Sequence, residues 1–169
     1  LIFGDADQSP GLTVDRFGDV LVTETLSLGI ELCKDVIFPA IVRVLDEMGV
    51  PVKALYERNN VSIRALEGME ENVGFYHCDG LEEHPSMTEA MICENGITYH
   101  VDFMHGQKTG FFLDQKYNRR AAATLAQGRT VLEFGSRRAH GYDAAIVGAR
   151  AAYIGGCDGT ACTISDQLY

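Results

Sequence analysis

The sequence predicts an α+β unit followed by the opening of an α/β unit, and three observations carry that reading. Residues 1–104 mix short alternating stretches with one long amphipathic helix. Within them, Asn95-Gly96 between two apolar runs is a strong two-residue hairpin signal. Past Gln107 the pattern changes to helix, then strand, helix, strand, the signature of a parallel βαβ start. The change divides the chain into residues 1–106, antiparallel strands with one long helix, and residues 107–169, the start of a Rossmann-like domain. The boundary itself is expected in GQKTGFF, near residues 105–112.

Each element has a local reason. GLTVDRFGDVLVTETLS alternates apolar and polar residues and breaks at Phe17-Gly18-Asp19, which predicts a hairpin. Ile30, Cys33, Ile37, Ile41, Val44 and Met48 recur at three- and four-residue spacing, predicting a helix over 31–48 that ends at Gly49 and Pro51. Pro39 inside it should kink or shorten it. VKALYERNN reads as a strand and SIRALEG as a helical turn. GFYHC, SMTEAMICEN and ITYHVDFM read as further strands. QKYNRRAAATLAQG is a helix with Asp114 as its N-cap and Gly128 as its stop. TVLEFG then reads as a buried strand, HGYDAAIVGA as a helix and AAYIGGCD as a second strand.

At 169 residues and 46% hydrophobic, the chain can bury a real core. No stretch reaches the run of about 18 apolar residues that crosses a bilayer, and LIFGDADQSPG has no secretory pattern. A cytoplasmic protein without a membrane partner is expected. The chain starts without Met and stops at ISDQLY, so an internal piece of a longer protein is also expected. The five cysteines, Cys33, Cys78, Cys93, Cys157 and Cys162, show no CxxC pair, which predicts reduced thiols and no metal site. Net charge is -10, but it is unevenly spread: residues 1–102 carry 6 basic and 19 acidic side chains, whereas residues 103–169 carry 8 basic and 5 acidic. An acidic, soluble half and a basic half suited to a polyanion are the two ways of reading that split.

In a doubly wound sheet, ligands sit at the carboxyl ends of the strands, where a Gly-rich turn and a downstream acid hold a ribose-containing cofactor. Glu133, Gly135 and Gly141 follow Val131-Leu132, and Asp158 is read as ending the next strand. The same residues also fit an ordinary turn. Other constellations have bland alternatives. His77-Cys78-Asp79 suggests a nucleophile and base, but strand neighbours point to opposite faces, and a structural role is the simpler reading. Asp5 and Asp7 are read as solvated. Tyr56-Glu57-Arg58 could hold a phosphate or form a structural salt bridge. Arg119 and Arg120 could contact RNA phosphate or be solvated, and Phe111-Phe112 could stack on a base, with one of the two expected in the core.

SPGLTVDRFGDVLV, YERNNVSIRALEG, ENGITYHVDFMHGQKTGFFLDQKYNRR and, more loosely, TVLEFG resemble successive blocks of the S-adenosylmethionine-dependent 23S ribosomal RNA cytosine-5 methyltransferase family, over residues 5 to about 134. GQKTGFFLDQ is the most specific of them. The resemblance implies a PUA domain, a central α+β domain and a Rossmann-like methyltransferase domain, of which this chain would hold the second and the start of the third. It implies S-adenosylmethionine as cofactor, held by Glu133, Gly135, Gly141 and Asp158, with Lys108, Thr109, Gly110, Phe111, Phe112, Asp114, Gln115 and Arg119 at the mouth. Ribosomal RNA is the implied partner, through Arg58, Arg119 and Arg120, and a homodimer stays open. The implied mechanism needs a cysteine nucleophile, expected beyond Tyr169 rather than among the five here. One departure stands out: GSRRAHGYDAA carries Arg137 and Arg138 where the family has small residues. A non-catalytic RNA-binding or ribosome-assembly module with a degenerate cofactor loop is the alternative.

Overall fold

A computed structural model describes residues 1–106, 108–133, 135, 142–154 and 157–160. The chain separates into two compact units, Leu1–Leu113 and Asp114–Tyr169, so the GQKTGFF segment packs with the first.

In the first unit, β1 (Ile2–Phe3), β2 (Leu12–Phe17), β3 (Val20–Thr25), β4 (Ala54–Asn59) and β5 (Asn72–Tyr76) form one sheet in chain order. Only the β3–β4 pairing is parallel. That crossover is made by α1 (Leu28–Glu47), which continues through Pro39. The helix begins three residues before the predicted start for a reason invisible locally. Ser27 gives no side-chain cap, and the orphan Leu28 amide instead donates to the carboxylate of Glu67 at 2.7 Å, 39 residues away.

Strand alternation gives the sheet two faces with different tasks. Leu12, Val14, Leu21 and Leu55 meet Phe38, Val42 and Leu45 of α1. On the other face Phe17, Val20, Val22, Ala54 and Tyr56 meet Ala90, Val101 and Phe103. Ala90 and Val101 belong to a separate antiparallel hairpin, β6 (Glu89–Glu94) and β7 (Ile97–Asp102), which lies on the main sheet instead of extending it. Its turn is Asn95-Gly96, both at positive φ (54° and 81°), as a two-residue turn of this kind requires. Fully buried Phe17, Phe38 and Phe103 contribute on the order of 1.5–3 kcal/mol each through area removed from water.

The first turns of α1 meet β4 through a buried polar network. Arg64, in the 3-10 segment Ser62–Glu67, is 2% exposed and donates to the Thr25 carbonyl at 2.6 Å and to Glu31 at 3.1 Å. Glu57 receives Lys34, Asn59 and Asn72 at 3.0–3.1 Å. Glu57 thus ties β4 to the helix through Lys34, while Asn59 ties it to β3 by accepting the Thr25 amide.

A 3-10 turn, Leu113–Gln115, spans the boundary and leads into α2 (Lys116–Ala126) of the second unit. Gln115, not Asp114, occupies the N-cap position, and it makes no side-chain cap bond. The strands β8 (Leu132–Glu133) and β9 (Gly159–Thr160) then pair in parallel around α3 (Tyr142–Ile154). The predicted second strand, AAYIGGCD, is corrected: Ala151–Ile154 finish α3, and the strand starts only after Asp158. Buried Ile146 and Ala149 keep the three-residue helical spacing that this apolar run prolongs.

Candidate cofactor and RNA site

The candidate residues fall into two groups, one in each unit. In the first, the segment after β7 is folded back on the sheet. The Asp102 carboxylate accepts the amides of Met104 and His105 at 3.0 and 2.8 Å, and the Gly106 amide donates to the Asp102 carbonyl at 3.0 Å. Burial would raise the Asp102 carboxyl, but these bonds and the His105 ring outweigh it and hold the group below the usual carboxylate range. Gly110, at φ 123°, has no room for a side chain: a Cβ there would sit 2.9 Å from Val101 and 3.0 Å from the Phe103 backbone.

This docking sorts the candidates of GQKTGFF. Thr109 is 4% exposed and its hydroxyl donates to Asp15 at 2.6 Å. Its side chain therefore faces the sheet, not the mouth of a site. Phe111 packs with Tyr99, ring centroids 5.1 Å apart, against the second core cluster. Phe112 is 39% exposed, and the Lys108 ammonium lies 5.7 Å from its ring centroid. So Phe111 is the core aromatic, while Lys108 and Phe112 form the outward surface.

Arg58, the candidate RNA contact in the first unit, is largely enclosed by the fold. On β4 it is 9% exposed and donates to the Phe103 carbonyl at 3.4 Å. Burial lowers its guanidinium from the ordinary value, with Tyr56, Asp102 and Glu24 opposing. Beside it on the same face, burial pushes the half-buried Glu24 carboxyl up against the pull of Lys108 and Arg58. Cys78 lies just past β5, half-buried, and burial raises its thiol with Asp79 adding to the effect, the opposite of what a nucleophile requires.

In the second unit, Gln115 donates to Asp114 at 2.7 Å and accepts from Asn118 at 2.7 Å, an exposed chain at the start of α2. On α2, Arg119 is half-buried and Arg120 exposed. Glu133 ends β8, and α3 begins at Tyr142, so Gly135 follows the carboxyl end of the first strand of a parallel pair. Gly141, Arg137 and Arg138 lie outside the described residues.

Asp158 is at the other end. Its amide donates to the Val131 carbonyl and its carboxylate accepts the Val131 amide, both at 2.7 Å. It therefore precedes β9 at the amino edge of the pair. The expectation that it ends the strand beside Glu133 is corrected: β9 runs parallel to β8 but starts only after Asp158. Sequence reasoning also missed Asp15, whose link to Thr109 spans 94 residues.

Among the described residues, no helix is long and apolar enough to cross a membrane, and no group of three or more His, Cys, Asp or Glu could hold a metal ion.

No family model matches the chain. Curated proteins do. The ribosomal RNA large subunit methyltransferase I of Shewanella frigidimarina is 42% identical over 132 residues, and its Aliivibrio fischeri (strain MJ11) counterpart 37% over 132. The Aeromonas hydrophila protein of that name is 39% identical over 134 residues. In each case the match covers 78% of this chain and 31% of the relative, so the chain spans about a third of their length. Among solved structures, a protein described as a SAM-dependent methyltransferase from Streptococcus mutans is 27% identical with a TM-score of 0.60, covering 93% of this chain and 35% of that one. A second, SMU.776, described as a methyltransferase complexed with SAH, is 28% identical with a TM-score of 0.63, covering 94% and 36%.

Proposed function

We infer that the chain, which spans about a third of the length of the ribosomal RNA large subunit methyltransferase I relatives it matches, belongs to that family and is part of an S-adenosylmethionine-dependent methyltransferase acting on ribosomal RNA. The observation that carries this is the likeness, over 94% of the chain, to a structure complexed with SAH. It weighs against the alternative of a non-catalytic assembly module. The finer reading is that Leu1–Leu113 serves as the central α+β domain of the family, that the rest opens its Rossmann-like domain, and that the target is cytosine C5 of 23S ribosomal RNA.

The residues present fit the cofactor. A parallel pair with a glycine after its first strand and a helix beyond is the frame on which nucleoside cofactors rest. Glu133 would hold the amino acid part, while Gly135 and Gly141 would allow close backbone approach. Lys108 and Phe112 offer a cation and an exposed ring face to the cofactor or to an unstacked base. Asp114 and Gln115, at the start of α2, add hydrogen-bonding groups. When bound, S-adenosylmethionine supplies an electrophilic methyl group. The cysteine nucleophile that C5 chemistry needs is assigned outside this chain, since burial and then Asp79 raise the Cys78 thiol and disfavour its thiolate. Phosphate contact is assigned to Arg119 and Arg120 of α2.

Calorimetric titration of S-adenosylhomocysteine into the protein at the full length of its relatives tests the cofactor reading. One molecule bound per chain, weakened by Glu133→Ala, supports it; a folded protein that takes up none would overturn it.

A further inference from the structure

We propose that Asp15 is a positioning residue for the 106–112 segment: by receiving the Thr109 hydroxyl, its carboxylate fixes the backbone that presents Lys108 and Phe112. This rests on the reading of that segment as cofactor-lining.

The two residues come from opposite ends of the first unit, and their contact is short at 2.6 Å, as expected of a hydroxyl donating to a carboxylate. Register fixes Asp15's direction. It pairs with Val22 on β3, and Val22 lies in the cluster under the β6–β7 hairpin. Asp15 therefore belongs to the face on which the segment is folded. Thr109 is almost fully buried, so its hydroxyl needs a partner, and an isosteric methyl would leave Asp15 without a donor.

The backbone around Thr109 shows what the bond holds. Lys108 adopts φ 52°, a left-handed conformation that costs a non-glycine residue about 1 kcal/mol or more and persists only where its surroundings enforce it. On its amino side the enforcement comes from the Gly106–Asp102 bond, and on its carboxyl side from Gly110, packed against Val101 and Phe103. Between them, Thr109 is tied to β2. Without that tie Lys108 can relax to an extended conformation, which swings its ammonium off the Phe112 ring. The contact that joins Asp15 to this segment is the Thr109 hydroxyl, so its effect on Lys108 and Phe112 is one of positioning.

The test uses Asp15→Ala, Thr109→Val, Thr109→Ser and the Asp15→Ala/Thr109→Val double variant in the protein at full family length. Hydrogen exchange at the amides of 106–112 and S-adenosylhomocysteine affinity are both read. Each of Asp15→Ala and Thr109→Val should speed exchange in that segment, leave β2–β4 protected and weaken affinity about tenfold, as loss of one hydrogen bond to a charged acceptor does. Thr109→Ser should restore both readouts, and the double variant should be no weaker than either single one. In turnover, KM for S-adenosylmethionine should rise more than kcat falls. Unchanged exchange at 106–112, additive losses in the double variant, or Thr109→Ser as weak as Thr109→Val would each overturn the proposal. If Asp15→Ala does not fold, the Val and Ser variants at 109 decide alone. Faster exchange in a wild-type background that binds no S-adenosylhomocysteine would instead overturn the cofactor reading.

Discussion

Val131 and Asp158 hold each other at both ends: the amide of each donates to the other residue, the carbonyl of Val131 and the carboxylate of Asp158 accepting at 2.7 Å. The pair closes the amino edge of β8 and β9, away from the edge where Glu133 ends its strand.

Asp158→Ala should therefore leave the dissociation constant for S-adenosylhomocysteine within about twofold of wild type in calorimetry. Stability should fall by no more than about 1 kcal/mol, since Asp158 is exposed and the lost bond is screened. A tenfold loss of affinity would return Asp158 to the ribose.

Glu24 and Glu31 should respond to pH with opposite signs. Burial pushes Glu31 up, but Lys34 and Arg64 outweigh it and hold the carboxyl low. Its stabilisation is present above the unfolded value, about 4.3, and is lost as pH falls below that value and through the depressed folded one. Burial leaves Glu24 raised, so between the unfolded and folded values the native state binds more protons and stability declines as pH rises. In thermal melts at neutral pH, Glu31→Gln should lower the Tm and Glu24→Gln should raise it. Both differences should shrink toward about pH 4 and below.

Removing Arg64 should be the costliest single change in the polar network. Arg64→Ala strips donors from the Thr25 carbonyl, Glu31 and the Glu70 carbonyl at once, a loss of roughly 2–4 kcal/mol in denaturant unfolding. Arg64→Lys, with one ammonium in place of a fork, should recover only part of it. A loss under about 0.5 kcal/mol, the level of an ordinary surface change, would contradict the role given to the network.

Arg120→Ala on α2 should weaken ribosomal RNA binding and reduce the slope of log affinity against log salt by up to about one phosphate contact. Arg58→Ala should instead act through stability. Filter binding across salt concentrations, with melts in parallel, separates the two; an unchanged slope for Arg120→Ala would remove it from the interface.

Much of the fold is written in local pattern. The Phe17-Gly18-Asp19 break, the Asn95-Gly96 turn and the spacing of α1 each need only neighbours in sequence to act, and each is where periodicity puts it. What failed depends on distant partners. Nothing near Leu28 says that Glu67 will cap it, and nothing near Arg58 says that Phe103 will cover it. The apolar run AAYI suits a strand as well as a helix until Ile146 and Ala149 are seen to bury one face of α3. That one misreading placed Asp158 at the wrong end of its strand. Within GQKTGFF, the sequence marks the segment, but only the contact with Asp15 separates inward Thr109 from outward Lys108.

The central claim is methyl transfer to ribosomal RNA, and it is tested most directly by incubating the full-length protein with radiolabelled S-adenosylmethionine and unmodified 23S ribosomal RNA, then separating the digested nucleosides. The account predicts label in 5-methylcytidine, none with the 169-residue chain alone, and unchanged labelling with Cys78→Ser in the full-length protein. Absence of label with a folded full-length protein that binds S-adenosylhomocysteine, or transfer by the short chain that depends on Cys78, would contradict it.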